Sequence, residues 1–463
     1  MRRNIDMLHG SLYKGILSYT IPIMLTSLLQ LLFNAADLVI VGQYCGSISV
    51  AAVSATGAIT NLIVNLFIGL SVGCGVTVAH GLGGQHNEEV HRIVHTALPT
   101  ALAGGALLTV VGVVFADDFL RFMKTPNNVL PFSAVYMRIY FGGMVFSMVY
   151  NFCASILRAA GDTKSPLVFL TLAGVINVLL NIVFVTVFHM NVAGVALATA
   201  ISQGVSAVLV VMALCRRTDA CRLILRKMRF YKKQLFRIIR IGLPAGIQGS
   251  LFSISNVFIQ SSINGFNSDA IMSGNGAAGN IEGFVYVIMN SFHQTTVNYI
   301  GQNTGAHNFA RIKKIFSVCL GYVFLFGAAA GFSVWFFGEN LLPIYITDSH
   351  EAIAYGLIRF SYVALPYFLC GLMDVSTGAL RGLGVSFVPM LISIIGVCGI
   401  RIVWIYTIFQ IPQYHTPQCL YMSYPFTWSI TFLCQTMAFI IIYKKKVRRD
   451  RLLIQQAVTG VVS

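Results

Sequence analysis

The chain has 463 residues, of which 56% are hydrophobic and only 10% are charged, and its formal net charge is +16. A water-soluble domain needs roughly 25% charged residues to cover its surface, so this composition excludes a soluble protein. The excess of Lys and Arg is typical of nucleic-acid-binding proteins, but their positions along the chain point to a membrane instead.

Apolar stretches recur along the whole chain. A helix needs about 20 apolar residues to cross ~30 Å of hydrocarbon, and the alternating pattern of a membrane barrel is absent from the sequence. The sequence therefore predicts an all-α polytopic membrane protein with twelve transmembrane helices. In chain order these cover residues 15–43, 50–80, 93–115, 130–157, 166–188, 193–214, 241–265, 276–300, 315–337, 352–380, 387–410 and 420–443.

Lys and Arg are distributed unevenly between the two sides of these spans. One set of alternating loops, together with both termini, holds 26 of the 31 basic residues, whereas the opposite loops hold only Arg121 and Lys124. By the positive-inside rule, we predict a multi-pass protein of the bacterial inner membrane with both termini in the cytoplasm. The basic stretches 216–240 and 444–451 are expected to lie against anionic lipid headgroups rather than nucleic acid.

The two halves of the chain resemble each other at an offset of 221 to 223 residues. Six spans return the chain to its starting side, so the two copies are expected to be related by a pseudo-two-fold axis along the membrane normal. This predicts two six-helix bundles, an N-lobe (1–214) and a C-lobe (241–463), joined by a cytoplasmic basic linker (215–240). The matching elements are Pro22 with Pro244, 83–87 with 304–308, 156–161 with 379–384, and Arg138 with Arg359.

Three acidic side chains, Asp37, Glu282 and Asp374, lie inside predicted spans. Each costs about 2.5–3.5 kcal/mol at the centre of a membrane helix on insertion scales. Such residues usually line an ion or substrate pathway, although a buried Arg partner would give them a purely structural role.

Asp37 shares one face of its helix with Gln30 and Asn34, and we expect that face to point into the bundle. Asn177 and Asn181 likewise lie one turn apart on the fifth span. A carboxylate among amide and hydroxyl oxygens suits a hard monovalent cation. The same carboxylate could instead take up a proton.

The eighth predicted span, in the second half, carries a polar stripe, which predicts a wet cavity or, alternatively, buried hydrogen bonds between helices. Arg401, the one base deep in this half, is expected either to neutralise Asp374 or Glu282 or to act in gating. Three Gly-x-x-x-Gly pairs, 69/73, 242/246 and 327/331, predict close helix packing. The stripe consists of Glu282, Tyr286, Asn290, His293 and Asn298.

Three segments resemble the multidrug and toxic compound extrusion (MATE) family. They are Leu-Arg-Ala-Ala-Gly-Asp-Thr-Lys-Ser-Pro (157–166), Gly-Gln-Asn-Thr-Gly-Ala-His-Asn (301–308), and an Ile-Pro opening with Asp37 fifteen residues beyond Pro22. The resemblance extends from about residue 10 to residue 443. It implies a V-shaped pair of bundles that exports cationic, amphipathic compounds in exchange for inward Na⁺ or H⁺, with no other cofactor.

The same resemblance implies where the sites lie. An N-lobe cation site, with a possible Na⁺ at Asp37, comprises Asp37, Asn177, Asn181 and Thr199, with Asn34 beside them. Asn181 stands where many members of the family have Asp, so the site has one carboxylate. Asp374 resembles the family's tenth-helix acid, and Glu282 could supply the second carboxylate that residues 248–253 lack. The implied substrate cavity is lined by Asp374, Glu282, Tyr286, Asn290 and Arg401.

The leading hypothesis is therefore an antiporter and not an enzyme. We expect it to be monomeric and to bind small cationic or amphipathic organic substrates and membrane lipids, but no nucleic acid. A lipid-linked oligosaccharide flippase of the same superfamily is the alternative. Flippases of that kind often have fourteen spans and a cationic cavity, whereas this chain has twelve predicted spans and acidic cavity candidates. A membrane enzyme would need a catalytic cluster that the sequence lacks, and a channel would need a filter-like loop.

Overall fold

The computed structural model describes residues 4–346 and 349–460, and in these ranges the chain is helical throughout, without a β-strand. The α-helices, numbered in chain order, are α1 Leu12–Cys45, α2 Ser47–Gly83, α3 Asn87–Val114, α4 Ala116–Phe122, α5 Leu130–Gly142, α6 Met144–Ala159, α7 Lys164–Ile182, α8 Asn191–Cys215, α9 Lys232–Asn264, α10 Asp269–Gly305, α11 Phe309–Phe336, α12 Gly338–Leu341, α13 His350–Arg359, α14 Phe368–Gly382, α15 Phe387–Ser393, α16 Ile400–Tyr406 and α17 Pro417–Gly460.

Shorter helical segments connect or extend these helices. Three are π-helical, with a wider turn than an α-helix: Val183–Val187 after α7, Phe360–Ala364 after α13, and Ile394–Gly399 after α15. Four are single 3₁₀ turns: Leu225–Lys227, Leu342–Ile344, Ile408–Gln410 and Pro412–Tyr414.

Each of the twelve predicted spans corresponds to one helix or to a run of consecutive helical segments. Among the described residues, eight helices are long and apolar enough to cross a membrane, and two bent pairs, α5 with α6 and α13 with α14, meet the same test together. The remaining two, α9 and α10, are as long but less apolar. The chain is therefore an all-α polytopic membrane protein, as the sequence predicted.

The described chain packs into two compact units. One comprises residues 4–5, 21–82 and 86–253, and the other comprises 6–20, 83–85, 254–346 and 349–460. The helices α1 and α9 each contribute residues to both units, so the boundaries of the units differ from those of the predicted lobes, which remain a prediction.

The internal repeat is visible in the helix bounds and in the backbone angles. The helices α3 and α11 both have 28 residues and begin 222 residues apart. The turns before them contain the only matched pair of non-glycine residues with positive φ in the described chain, Gln85 at 56° and His307 at 56°. This sets the repeat at 222 residues here, one more than the offset predicted from residues 83–87 and 304–308.

Two further features recur in both halves. Gly161 and Gly384 end the matched loop motifs with positive φ angles of 87° and 81°, a conformation that glycine adopts without strain. The helix pairs α5–α6 and α13–α14 are bent by 43° and 40°. The repeated sequence therefore encodes the same backbone geometry twice.

The predicted basic linker is folded onto the first unit. The backbone N–H of Ile224 donates to His95 Nε2 at 3.0 Å, and the N–H of Arg229 donates to the His95 carbonyl at 3.3 Å. The N–H of Tyr231 donates to Thr96 Oγ1 at 3.3 Å, immediately before α9 begins. These bonds attach the linker to α3 and satisfy backbone groups that a loop would otherwise leave open.

Glycines allow α2 and α9 to touch backbone to backbone within the first unit, as the Gly-x-x-x-Gly pairs predicted. A methyl group on Gly69 would lie 2.1 Å from the Gly246 nitrogen, and one on Gly73 would lie 2.6 Å from the Gly242 nitrogen. In the second unit, a methyl group on Gly331 would lie 2.2 Å from the Ala364 carbonyl oxygen. Small residues that admit such close approach are the usual basis of helix association in membranes.

We expect Gly69→Ala to destabilise the protein strongly, because the added methyl group meets backbone atoms that can move only if the two helices separate. The control is Gly57→Ala in the same helix, where an added methyl group has no neighbour within 4 Å. There the gain in helix propensity, about 0.8–1.0 kcal/mol, should leave the protein at least as stable. Thermal unfolding of the purified proteins in detergent measures both effects, and equal midpoints for the two variants would show that this contact does not stabilise the fold.

Candidate ion and substrate sites

Asp37 lies on α1, fifteen residues beyond the proline inside that helix, and is half-buried. Gln30 and Asn34 on the same helical face are exposed. Whether this face points into the bundle stays a prediction. Among the described residues, the side-chain hydrogen bonds of Asp37 come from Asn181 and Thr199 and not from Asn34. The role of Asn34 in ion coupling therefore stays a prediction.

The other predicted members of the first site meet at the Asp37 carboxylate. Asn181 Nδ2 donates to Asp37 Oδ1 at 2.5 Å, and Thr199 Oγ1 lies 3.3 Å from Oδ2. Asn181 also donates to Asn177 Oδ1 at 3.3 Å, and Asn177 Nδ2 donates to Thr199 Oγ1 at 3.3 Å. Side chains from α1, α7 and α8 thus form one connected polar cluster, which we call the Asp37 cluster.

The geometry of Thr199 gives the Asp37 cluster a second arrangement. Thr199 Oγ1 also lies 3.0 Å from the carbonyl oxygen of Val195, one turn earlier on α8. A hydroxyl has one proton, so Thr199 bonds either to the carboxylate or to the helix backbone. The hydroxyl can turn away from Asp37 and present its oxygen without losing a hydrogen bond.

The Asp37 cluster offers oxygen atoms to a cation. Within the described residues, Asn181 Oδ1 is buried and has no hydrogen-bond partner. Together with the Asp37 carboxylate, the Asn177 carbonyl and the Thr199 hydroxyl, it makes a donor set of the kind that hard cations prefer. With a single carboxylate, the set can neutralise one positive charge, either a monovalent metal ion or a proton.

Two tyrosines near the Asp37 cluster were missed by sequence reasoning. The charge of Asp37 acts on Tyr136 and Tyr140 of α5. Their rings stack at 6.0 Å, one helical turn apart. The spacing of four residues was the available signal, but aromatic pairs at this spacing are common in apolar helices and do not identify a site by themselves.

Glu282 of α10 lies in a buried ion pair with Arg359 of α13. Arg359 Nε donates to Glu282 Oε1 at 2.9 Å, and Nη2 donates to Oε2 at 2.7 Å. This corrects the prediction that Glu282 attracts substrate cations, because one guanidinium occupies both of its oxygens. It is the buried-Arg alternative that the sequence left open for intramembrane acids.

The rest of the Arg359 guanidinium is surrounded by polar and aromatic groups. Its Nη1 donates to Asn275 Oδ1 at 2.5 Å, and the same oxygen accepts from the Tyr421 hydroxyl at 3.2 Å. The ring centroids of Tyr421 and Tyr424 lie 5.4 and 5.6 Å from the guanidinium carbon. The pair is thus fully enclosed between α10, α13 and α17.

Arg401 of α16 does not neutralise either carboxylate. Among the described residues its ion pairs with Asp374 and Glu282, expected from the sequence, are absent. Its guanidinium lies 4.1 Å from the Tyr424 ring centroid and donates to Ser255 and Thr427 hydroxyls at 3.4 Å each.

Asp374 of α14 is buried, and within the described chain its carboxylate makes neither an ion pair nor a hydrogen bond with another side chain. Its backbone carbonyl accepts from His293 Nδ1 at 2.7 Å, while Arg381 Nη1 lies 3.2 Å from His293 Nε2. Because an arginine can only donate, Nε2 accepts and His293 is neutral. Arg381 is the cation whose charge acts on Asp374.

Polar residues continue along the outer part of the α10 stripe. Asn290 Nδ2 donates to the Tyr286 hydroxyl at 3.4 Å, and Gln294 Nε2 donates to Asn290 Oδ1 at 2.8 Å. Tyr286 is exposed and Asn290 is half-exposed. The predicted stripe therefore divides into two parts: Tyr286 and Asn290 are accessible to solvent, whereas Glu282 and His293 are buried.

Among the described residues of the second unit, the buried charges sum to a positive value. Three arginines, Arg359, Arg381 and Arg401, are buried together with two carboxylates, Glu282 and Asp374. This corrects the expectation of an acidic cavity. Arg359 and Arg381 were assigned to span ends or loops in the sequence, whereas both are buried in the packed unit.

We expect Glu282→Gln to lower the free energy of unfolding by about 3–5 kcal/mol, because it leaves Arg359 as a buried charge without its carboxylate. Adding Arg359→Met in the same protein should recover part of that loss. The control is Glu88→Gln, which breaks an exposed pair with Arg92 and should cost about 0.2–1 kcal/mol. Thermal or denaturant unfolding in detergent measures the three changes, and equal losses for Glu282→Gln and Glu88→Gln would contradict the structural role.

The chain is similar in sequence to proteins named for multidrug resistance or multidrug export. The chain is 26% identical over 94% of its length to a probable multidrug resistance protein, YoeA, of Bacillus subtilis, covering 95% of that protein. It is 23% identical to the multidrug export protein MepA of Staphylococcus saprophyticus, over 97% of this chain and 96% of that one.

Among solved structures, the chain matches the outward-facing conformation of a multidrug resistance MATE family transporter of the MOP superfamily. The TM-score is 0.90 at 19% identity, over 97% of this chain and 99% of that one. The MatE family model matches residues 22–183 and 244–407, one match in each half of the repeat. The chain therefore belongs to the MATE family of membrane transporters.

Proposed function

We propose that this protein is an ion-coupled antiporter that exports amphipathic organic compounds across the bacterial inner membrane. The observation that carries the proposal is the Asp37 cluster, where the one span carboxylate of the first unit is held by neutral donors from α7 and α8. The names of the similar proteins, which include multidrug resistance and multidrug export, support the substrate class.

The Asp37 cluster can bind and release one positive charge. In the arrangement described, Asn181 and Thr199 stabilise the ionised carboxylate by hydrogen bonds of ordinary strength, about 0.5–3 kcal/mol each. A Na⁺ ion would replace those bonds with oxygen ligands, and a proton would remove the charge that the donors stabilise. Both exchanges are reversible, which a coupling site requires.

The membrane potential provides the driving force for inward cation movement. It contributes about 2.3 kcal/mol per charge for each 100 mV. A carboxylate that is loaded from outside and emptied to the cytoplasm captures this energy, provided that substrate moves in the opposite direction between those two events. No cofactor beyond the coupling ion enters this cycle, and we place both chain termini in the cytoplasm.

A lipid-linked oligosaccharide flippase remains the second candidate, because the positive balance of buried charge in the second unit suits an anionic substrate better than an acidic cavity would. The Asp37 cluster favours the antiporter, since a flippase that binds pyrophosphate has no evident use for a lone carboxylate in the first unit. Dependence of transport on an ion gradient distinguishes the two.

We expect Asp37→Asn to abolish uphill accumulation of a cationic dye in proteoliposomes while leaving dye binding and folding intact. The substitution keeps the side-chain volume but removes the charge. The control is Asp118→Asn, an acid of α4 outside the Asp37 cluster, which should transport normally. A Na⁺ gradient and a pH gradient, applied separately, identify the coupling ion, and uphill transport by well-folded Asp37→Asn would contradict the mechanism.

We expect cysteine labelling to place the linker in the cytoplasm, as the distribution of basic loop residues predicts. In a background lacking Cys45, Cys215, Cys419 and Cys434, the cysteines that are not buried, single cysteines are introduced at two exposed positions, Arg226→Cys in the linker and Lys124→Cys in an opposite loop. A membrane-impermeant maleimide applied to intact cells should label Lys124→Cys only. Labelling of Arg226→Cys from outside would overturn the orientation.

A further inference from the structure

The linker between α8 and α9 is attached to α3 close to the point where α3 is predicted to enter the membrane. Three backbone N–H groups of residues 224–231 donate to His95 and Thr96 of α3. The predicted third span begins at residue 93, two residues before His95. These contacts therefore lie at the membrane boundary, and the side chains of residues 224–231 are at the level of the lipid headgroups.

The linker and the first turns of α9 have one buried face and one exposed face. Cys221, Leu223 and Ile238 are buried and belong to the apolar core of the first unit. The opposite face carries large apolar side chains that are between 37% and 66% exposed, namely Leu225, Met228, Phe230 and Phe236. Exposed apolar side chains grouped in this way mark a surface that contacts a protein or a membrane.

Basic residues are interleaved with these apolar side chains. Residues 220–240 contain no acid. The ion pairs of the described linker and of the start of α9 join Arg217 to Asp219 and Arg237 to Glu89. Between these two pairs the described chain has six exposed cations without a carboxylate partner, which are Arg222, Arg226, Lys227, Arg229, Lys232 and Lys233. The surface is therefore complementary in charge to an anionic partner.

The arrangement of this surface favours a lipid leaflet over a soluble polyanion. Clusters of Lys and Arg next to a membrane-spanning helix bind anionic headgroups, and apolar side chains among them enter the boundary between headgroups and acyl chains. Phe236 precedes Leu243 by seven residues and shares its face of α9. Leu243 is exposed inside the predicted seventh span, so Phe236 continues the lipid-facing side of that helix into the linker.

We propose that residues 222–236 anchor the first unit to anionic phospholipid. The four exposed apolar side chains insert into the cytoplasmic leaflet, and the six cations bind lipid phosphates. The surface selects lipids with a net negative charge, such as phosphatidylglycerol, over zwitterionic ones. Because the chain runs from this surface directly into α9, bound lipid also fixes the start of that helix. This role goes beyond the proposed antiport and involves neither the substrate nor the coupling ion.

The test measures whether one linker side chain lies in the bilayer. Phe230→Cys, in the full-length protein lacking the four cysteines that are not buried, is labelled with bimane and reconstituted into nanodiscs. A lipid spin-labelled near its headgroup quenches bimane at the interface, and acrylamide quenches bimane in water. Mixing phosphatidylglycerol into phosphatidylcholine should raise the ratio of lipid to acrylamide quenching about fivefold, the effect of one cation at an anionic surface.

A second labelled position provides the reference for exposure to water. Glu88→Cys replaces an exposed residue of α3. It lies seven residues before His95, about 10 Å farther from the membrane along the helix axis. Acrylamide should quench bimane at this position equally in both lipid mixtures, and the spin-labelled lipid should have little effect there.

The contribution of charge is tested with two matched triple variants. One combines Arg226→Gln, Lys227→Gln and Arg229→Gln, and it should lose the response to phosphatidylglycerol at position 230. The other removes three cations from α17 by Lys445→Gln, Arg448→Gln and Arg449→Gln, and it should keep the response. If the first triple variant does not fold, high salt serves the same purpose, because it screens surface charge and should remove the response from the protein with its native linker.

Two results would refute the proposal: equal quenching at position 230 in both lipid mixtures, or acrylamide quenching there as strong as at position 88. A third result would assign the surface to an acidic protein instead. In that case polyglutamate protects position 230 from acrylamide in phosphatidylcholine nanodiscs, whereas phosphatidylglycerol does not. All these measurements are made without substrate or an ion gradient, so their failure does not bear on the proposed antiport.

Discussion

The cost of holding an ionisable group away from water shapes much of the interior of this protein. The described residues contain few charges inside the membrane helices, and three sites show how differently a buried charge is accommodated. Glu282 is matched to Arg359 by two charge-assisted hydrogen bonds, Asp37 is matched to neutral donors, and Arg401 is stacked on Tyr424. An unpartnered charge in hydrocarbon is highly unfavourable, so these interactions help to fix which helix faces meet.

The way each buried carboxylate is bound distinguishes a structural role from a proposed functional one. A bidentate pair between Glu282 and Arg359 is strong and enclosed, so opening it would strand two charges at once. Amide and hydroxyl donors bind Asp37 more weakly, and Thr199 has a second acceptor one turn away on its own helix. These weaker bonds suit the coupling role proposed for Asp37, whereas the bidentate pair suits Glu282 to holding α10 and α13 together.

Sequence reasoning succeeded where a signal is local and failed where it depends on helix rotation. The spans, the repeat and the meeting of Asp37 with Asn177, Asn181 and Thr199 follow from spacing and from family resemblance. Glu282 and Arg359 are 77 residues apart. The spacing of residues within α10 or within α13 does not predict that the helix faces carrying these two side chains meet.

The same limit explains why the sequence led us to expect an acidic cavity in the second half. Arg359 and Arg381 lie near the ends of apolar segments, where a long side chain normally reaches water. Both are instead buried by neighbouring helices. The register of the repeat shifted by one residue at Gln85 and His307 for a related reason, because sequence identity in a short loop cannot locate the residue with a left-handed backbone.

The irregular turns of the helices lie where the polar side chains are. The π-helical segment Val183–Val187 begins two residues after Asn181, just as the other two lie beside Arg359 and Arg401. A π-helical turn leaves backbone groups that can exchange partners, whereas the contact between Gly69 and Gly246 allows no such freedom. The described chain therefore combines rigid glycine contacts with irregular helical turns beside its polar side chains, so the ion exchange proposed for the Asp37 cluster has an adaptable segment next to Asn181.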